Sequence, residues 1–160
     1  MRIAVCRATL LASLLAAGCA AYPQIQEGLW DVRVQSTENP GAKKTQYEYK
    51  LCRDHAYDKQ TDSLVKNNKD CKTTLEAAGP NRYSAASRCT VGATVIVSKG
   101  LSIYENGNSI HSETVATYTP RLYGKSDETL ILDQQFLGSC PAGMKPGDRL
   151  LPDGLIAHPR

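Results

Sequence analysis

The sequence lacks the short motifs that mark the common enzyme and metal-site families. It contains no Gly-x-Ser-x-Gly nucleophile elbow, no His-Glu-x-x-His zinc motif and no glycine-rich phosphate loop. It also has no Cys-x-x-Cys pair and no two histidines at metal-ligand spacing, which argues against a zinc site. These absences predict a protein that is not an enzyme and that carries no cofactor and no metal.

A long apolar run and an excess of one charge are also missing. The longest apolar run, Ala8–Ala17, is too short to span a bilayer; it follows two arginines and precedes small residues, which is the arrangement of an export signal. Those arginines account for most of the formal net charge of +3, because they are 2 of the 19 basic residues and no acidic residue lies with them. The nearly neutral remainder makes nucleic acid a poor candidate partner. We therefore predict four segments: an export signal of the lipoprotein type (1–18), a tether (19–26), a single β-rich domain (27–153) and a flexible tail (154–160).

The end of the predicted signal allows two processing routes. Leu15–Cys19 resembles a bacterial lipobox, in which the cysteine becomes the lipidated first residue, although Ala16 stands where leucine is usual. Cleavage after Ala20 or Ala21 is the alternative. We predict lipidation of Cys19, whose several acyl chains would anchor the protein firmly. The next residue, Ala20, is not the aspartate typical of inner-membrane retention, so we expect the outer membrane. A soluble periplasmic protein remains the alternative.

Four cysteines lie in the predicted domain, an even number that fits an oxidising compartment. They are Cys52, Cys71, Cys89 and Cys140. Four cysteines allow three connectivities. We expect a Cys52–Cys71 disulfide around a local loop and a Cys89–Cys140 disulfide that ties the last strand to a middle one.

Alternation of apolar and polar residues predicts that most of the domain is β-strand. Gly28–Gln35 and Lys44–Leu51 both alternate and flank a turn at Asn39–Gly41, so they should form an antiparallel hairpin. Further strands are predicted over residues 73–77, 82–89, 93–104, 109–119 and 129–137. Between the hairpin and these strands, Arg53–Asn68 lacks glycine and proline and predicts a short helix. Its apolar residues on a shared face are Ala56, Tyr57, Leu64 and Val65.

Glycine, proline and asparagine mark the turns and irregularities. Asn106–Gly107 predicts a tight hairpin turn, because these residues accept positive φ. Gly100 predicts a bend or bulge within its strand, Pro120 the end of a strand, and the glycines and prolines after Cys140 the end of the sheet. The predicted fold is mainly β: a single antiparallel curved sheet or partial barrel with one short helix, stapled by disulfides.

The histidines and carboxylates of the predicted helix and strands are interpreted first as ordinary surface residues. His111 and Glu113 lie on one face of a strand, and a solvated pair is commoner there than a weak metal site. Asp54, Asp58 and Asp62 form an acidic edge on the predicted helix, for which solvation is favoured over calcium binding. His55 and His158 are predicted to lie on the helix surface and in the tail.

Most of the aromatic residues are tyrosines: the sequence has eight tyrosines, one tryptophan and one phenylalanine. Strands favour tyrosine, but so do half-wet recognition surfaces. One helix is scarcely enough to cover so many strands, so the apolar face is predicted to leave a groove. The candidate ligand-binding residues are Trp30, Tyr47 and Tyr49.

Several of these residues resemble a known family. Gly28-Leu-Trp30, a cysteine before a short helix, two further cysteines, and the closing run Leu-Gly-Ser-Cys-Pro-Ala-Gly-Met-Lys-Pro-Gly-Asp over 137–148 are similar to the family called domain of unknown function 3617. The resemblance implies a small exported protein of Gram-negative bacteria with a β-rich fold, and it brings no catalytic residues.

The function expected from the sequence is that of a non-catalytic cell-envelope module that binds a small apolar ligand or a protein partner. The alternative is a secreted inhibitor of an envelope-directed enzyme such as lysozyme. A closed pocket lined by tyrosine and aliphatic side chains would favour ligand binding, whereas a protruding rigid loop beside a disulfide would favour inhibition.

Overall fold

The computed structural model describes residues 24–158, which form one open, nine-stranded antiparallel sheet with one helix. Along the chain the elements are β1 (Gly28–Glu38), β2 (Thr45–Arg53), α1 (His55–Lys66), β3 (Cys71–Gly79), β4 (Arg82–Val91), β5 (Thr94–Glu105), β6 (Ser109–Leu122), β7 (Lys125–Gly138), β8 (Arg149–Leu150) and β9 (Ile156–Ala157). The strand order is β3-β4-β5-β6-β7-β1-β2-β8-β9. This architecture confirms the predicted fold class. The predicted export signal and Cys19 lie outside the described residues.

The core is built around β1, which lies between β2 and β7. Trp30 is opposite Leu51 on β2 and Phe136 on β7, and Val32 and Val34 follow on the same face. We call this face of the sheet the inner face. The buried apolar residues there are Ile25, Trp30, Val32, Val34, Leu51 and Ile110. A fully buried side chain of this kind contributes roughly 1.5–3 kcal/mol to the free energy of folding. Three of these six residues, Trp30, Val32 and Val34, are the ones whose alternation predicted β1.

Helix α1 begins and ends close to the predicted positions. The Asp54 side chain caps it by accepting a hydrogen bond of 2.7 Å from the backbone N–H of Tyr57. Tyr57 packs against the core cluster, but Leu64 and Val65 are exposed, so only part of the predicted apolar face is used. Within residues 24–158, no helix combines the length and the apolar character that crossing a membrane requires.

Three predictions about breaks in the sheet are wrong. Gly100 lies in a continuous register with both neighbouring strands, and a Cβ at this position would lie 2.7 Å from Thr114 Oγ1. Glycine is therefore needed for close approach of β6 rather than for a bulge. Strand β6 continues through Pro120 to Leu122 with a register shift, and β8 extends the sheet beyond Cys140 by pairing with β2.

The predicted disulfide connectivity is also wrong. The structure pairs Cys52 with Cys140 and Cys71 with Cys89. Cys71 lies directly opposite Cys89 in the β3–β4 register, with 4.0 Å between their Cα atoms. The other pair follows from the position of β1, because Leu29 is flanked by Cys52 on β2 and by Gly138 on β7. The ends of β2 and β7 are thus brought to the same place, and Cys140 reaches Cys52.

Asp148 organises the glycine-rich segment after Cys140. Its buried carboxylate accepts hydrogen bonds from the backbone N–H of Lys145 and from His158 Nδ1, both at 2.7 Å. The backbone N–H of Lys145 and the nearby His158 hold the pKa of Asp148 below its usual value. The Asp148 carbonyl also accepts a hydrogen bond from Cys52 N–H. Residues 154–158, part of the predicted tail, therefore contain β9 and a contact back to this loop.

Candidate functional site

A groove of about 780 Å³ runs along the edge of β2 beside the chain segment that follows β8. We call it the tyrosine groove. Its lining residues are Gln46, Tyr47, Glu48, Tyr49, Arg149, Leu151, Pro152 and Asp153. Its volume lies within the range of roughly 300–1,000 Å³ that is typical of small-molecule sites.

The two tyrosines reach the groove because of their alternation on β2. Tyr49 is opposite Val32 and Tyr47 is opposite Val34, so both rings stand on the inner face. Tyr49 packs against the core, whereas Tyr47 is 57% exposed. Their rings are nearly parallel, with 6.4 Å between centroids. The core therefore holds one ring in place, and the second ring extends the same aromatic surface into solvent.

Arg149 is the one cationic residue among those that line the groove, which also include the acidic Glu48 and Asp153. Its guanidinium carbon lies 5.0 Å from the centroid of the Tyr49 ring, at cation–π distance. Burial raises the pKa of Tyr49 and outweighs the opposing effect of Arg149, so the phenol keeps its proton at neutral pH. Among the ion pairs formed within residues 24–158, none includes Arg149. The guanidinium therefore remains available to an acidic ligand group.

The backbone of β2 also faces the groove. The N–H and C=O of Cys52 bond to Asp148 and Gly147, on the β8 side of the strand. Because alternate residues of a strand direct these groups the same way, Gln46 and Glu48 direct theirs into the groove. In the described part of the chain, β8 pairs with β2 only at Lys50 and Leu51. The groove thus combines apolar rings, one cation, the carboxylates of Glu48 and Asp153, and main-chain donors and acceptors.

Trp30 does not belong to this site. Its ring has no exposed surface, and its Nε1–H donates a hydrogen bond of 2.9 Å to the Gln26 carbonyl. Phe136 lies edge-on at 5.8 Å between ring centroids, and the Arg53 guanidinium lies 5.6 Å from the Trp30 ring centroid. Of the three predicted ligand-binding residues, the structure therefore brings together Tyr47 and Tyr49, while Trp30 is a core residue.

The groove residues that sequence reasoning missed come after Cys140. Arg149, Leu151 and Pro152 lie in a segment that was expected to contain no further strand. Their approach to β2 depends on the pairing of Leu51 with Arg149, which is distant in sequence. The only local signal was the aliphatic pair Leu150-Leu151 within an otherwise polar, glycine-rich stretch.

Histidine and carboxylate contacts elsewhere are ion pairs and caps. His111 lies between Asp133, at 2.6 Å, and Glu113, at 3.3 Å, and the hydrogen bond to Asp133 raises its pKa. The cross-strand partner Asp133 was missed in the sequence, which indicated only Glu113. His55 contacts Glu27 at 3.1 Å. Across residues 24–158, no group of three or more His, Cys, Asp or Glu side chains is placed to hold a metal ion.

The acidic edge of α1 has structural partners. Asp54 is the helix cap, and Asp58 forms an ion pair of 2.7 Å with Arg53. Burial raises the pKa of Asp58 against the opposing effect of Arg53. Asp58 and Asp62 both line a smaller cavity of about 360 Å³ between α1 and the sheet. Asp54 is not among the residues that line it, so the three carboxylates do not converge on one point.

A separate polar network lies at the other end of the inner face. Glu128 accepts hydrogen bonds from Tyr118 Oη at 2.6 Å and from Ser36 Oγ at 3.0 Å, and Lys125 lies 3.3 Å away. Burial and the bond to Glu128 raise the pKa of Tyr118 to about 12. The bonds from Tyr118 and Ser36 lower the pKa of Glu128 despite its partial burial.

Comparison with known proteins identifies the family. No curated protein matches the chain. The family model described as "Protein of unknown function (DUF3617)" matches residues 25–140, from the buried Ile25 through β7 to Cys140. The groove residues after β8 lie beyond this match, whereas Tyr47 and Tyr49 lie within it. The match covers more than half of the sequence, and the chain therefore belongs to the DUF3617 family.

Proposed function

We propose that this protein is an exported, non-catalytic cell-envelope protein that binds a small, largely apolar molecule in the tyrosine groove. The observation that carries the proposal is the stacked pair of Tyr47 and Tyr49 in an open groove of about 780 Å³. Exposed apolar surface costs roughly 25 cal/mol for each Å² left in water. A flat apolar molecule stacked on Tyr47 would cover the exposed ring and continue the aromatic surface that Tyr49 begins.

Arg149 favours a ligand with an acidic group at one end. Its guanidinium is held at the Tyr49 ring and lacks a carboxylate partner within residues 24–158. The nearby carboxylate of Asp153 accepts the backbone N–H of Leu155 at 3.1 Å. An apolar body along the tyrosines with a carboxylate or sulfonate at Arg149 would satisfy both features of the groove.

Two fluorescent probes test the proposal. Anilinonaphthalene sulfonate carries an aromatic body and an anionic group, and N-phenyl-naphthylamine is its uncharged counterpart. Both should bind the oxidised protein saturably, and Tyr47→Ala, which removes the exposed ring that the ligand would cover, should weaken both about tenfold, which corresponds to about 1.4 kcal/mol. Arg149→Gln should weaken the charged probe only.

Tyr123→Ala is the matched control, because Tyr123 is 95% exposed in the β6–β7 turn, away from the groove. It should leave the binding of both probes unchanged. Equal affinities in Tyr47→Ala and Tyr123→Ala, or no saturable binding by the wild type, would exclude the tyrosine groove as the ligand site.

The open edge of β2 favours one second candidate, an extended segment of a protein partner. Main-chain groups of Gln46 and Glu48 face the groove and could pair with an added strand. An inhibited enzyme would be one such partner. Glu48→Pro would remove one edge N–H without altering the tyrosines, so it should abolish capture of a partner from a periplasmic extract while probe binding persists.

Export and anchoring form a separate part of the proposal. The pairing of all four cysteines of the domain supports an oxidising compartment. Lipidation of Cys19 predicts that labelled palmitate marks the wild-type protein in outer-membrane fractions and is lost in Cys19→Ser. An unlabelled, soluble protein that begins at Ala20, Ala21 or Tyr22 would contradict lipidation and indicate a soluble periplasmic protein instead.

A further inference from the structure

Strand β3 is an edge whose hydrogen-bonding groups point outward. It is the first strand in the sheet order, and no strand within residues 24–158 lies beyond it. The Asp70 carbonyl accepts a bond from Thr90 on the β4 side, whereas Cys71 N–H donates to Asn68. Because these directions alternate along a strand, Thr73, Leu75 and Ala77 direct their N–H and C=O groups away from the sheet.

The charges of β3 are not balanced by the strand next to it. Lys72 is paired with Arg88 on β4, which places two like charges side by side. Glu76 is paired with Ser84. Both Lys72 and Glu76 are exposed, and no ion pair within residues 24–158 includes either of them. The edge therefore carries an unbalanced cation and an unbalanced anion four residues apart.

We propose that β3 pairs antiparallel with β3 of a second copy of this protein, around a twofold axis at Thr74. In this register Thr73 exchanges main-chain hydrogen bonds with Leu75 of the second copy. Lys72 then lies opposite Glu76 of the second copy on the same face of the sheet, and symmetry repeats the pair. The two sheets become one continuous sheet.

The charges select this register over its neighbours. Only the odd-numbered residues of β3 direct hydrogen-bonding groups outward, so a partner strand can slide only in steps of two residues. One step in one direction places Glu76 opposite Asp70 of the second copy, which is a like-charge contact. One step in the other direction places Lys72 opposite Ala78 of the second copy. The register centred on Thr74 is the one that pairs both charges.

The proposed interface goes beyond ligand binding and leaves it undisturbed. β3 lies at the opposite end of the sheet order from β8, so the tyrosine groove stays open in the dimer. A single strand pair is small compared with the ~1,200 Å² buried by stable complexes. The dimer should therefore form in a concentration-dependent way.

Analytical ultracentrifugation of the oxidised protein over a concentration series tests the proposal. Lys72→Glu and Glu76→Lys each turn both attractive contacts into repulsive ones, and each should weaken dimerisation at least tenfold. An equimolar mixture of the two variants should form heterodimers as well as the wild type dimerises, because opposite charges then face each other at both positions. This restoration also shows that both variants are folded.

Lys99→Glu is the matched control, since it makes the same charge change on an exposed residue of β5, which lies inside the sheet and two strands away from β3. It should leave the dimerisation constant unchanged. A wild type that stays monomeric up to roughly 1 mM would overturn the proposal, since weaker binding has little stabilising free energy. A mixture of the two charge variants that stays monomeric would overturn the register.

Discussion

Gly28 in the Gly-Leu-Trp sequence is the position where one added methyl group should be most damaging. Its φ of 141° lies in a region that side-chain-bearing residues rarely adopt. A Cβ there would also lie 2.2 Å from the Gly138 carbonyl oxygen and 3.0 Å from Phe136 Cε2. The first of these atoms belongs to the backbone of β7, so it cannot move aside without opening the β1–β7 pairing.

The expected cost of Gly28→Ala has two parts. The unfavourable backbone conformation costs roughly 1–3 kcal/mol. Forcing the strands apart costs about 1–3 kcal/mol more. A middle value of ~4 kcal/mol should lower Tm by about 12 °C, at roughly 3 °C for each kcal/mol in a domain of this size. The pairing of Leu29 with Gly138 should be the first to open, and this would expose the core tryptophan.

Thermal unfolding followed by tryptophan fluorescence is a suitable assay, because Trp30 is the single tryptophan and is fully buried. Gly41→Ala is the control: Gly41 also has a positive φ, 78°, but nothing lies within 4 Å of its added Cβ. It should cost about 1 kcal/mol, and thus about 3 °C. Equal losses of Tm in the two variants would refute the steric argument for Gly28.

Three further predictions concern covalent links and ionisable groups. Non-reducing peptide mapping should find the Cys52–Cys140 and Cys71–Cys89 disulfides, and loss of the longer link should cost more, about 4.5 against about 3 kcal/mol in the chain-entropy model. Ultraviolet titration should find a Tyr118 pKa of about 12, and Glu128→Gln should lower that pKa. The raised pKa stabilises the fold below the ordinary tyrosine pKa, and this stabilisation is lost as the pH rises towards 12. The raised pKa of His111 stabilises the fold below the ordinary histidine pKa, so His111→Gln should cost more stability at pH 5 than at pH 8 in urea unfolding, whereas an equal loss at both values would contradict this linkage.

Local patterns predicted the elements, and distant pairings escaped prediction. The alternation of β1 and β2 predicted their hairpin and its buried face. Asn106-Gly107 predicted the turn between β5 and β6, where the two residues have φ of 50° and 71°. Both signals lie within a few residues of what they determine. Gly100 shows the limit, because a glycine inside a strand signals either a bulge or a close approach, and only the position of Thr114 decides between them.

Some residues of the candidate site could be predicted from local alternation, and others depend on distant strand pairing. Tyr47 and Tyr49 could be found from alternation, since both belong to the inner face of one strand. The same pattern predicts that Trp30 contacts the ligand, because alternation does not distinguish a strand in the covered centre of a sheet from a strand at its open edge. Arg149 could not be found, because its place depends on strand order at the far side of β2.

The position of β1 has a consequence for how the chain is made. Strand β1, the first in the described part of the chain, has β2 on one side and β7, the last long strand, on the other. The core around Trp30 therefore stays half-built until nearly the whole domain has emerged. Until Cys140 arrives, Cys71 can already form its native disulfide with Cys89, whereas any link that Cys52 forms with either of them requires slow disulfide exchange before Cys52 can pair with Cys140. Of the two disulfides, Cys52–Cys140 is therefore the one that can form only late, together with the closing of the core around Trp30.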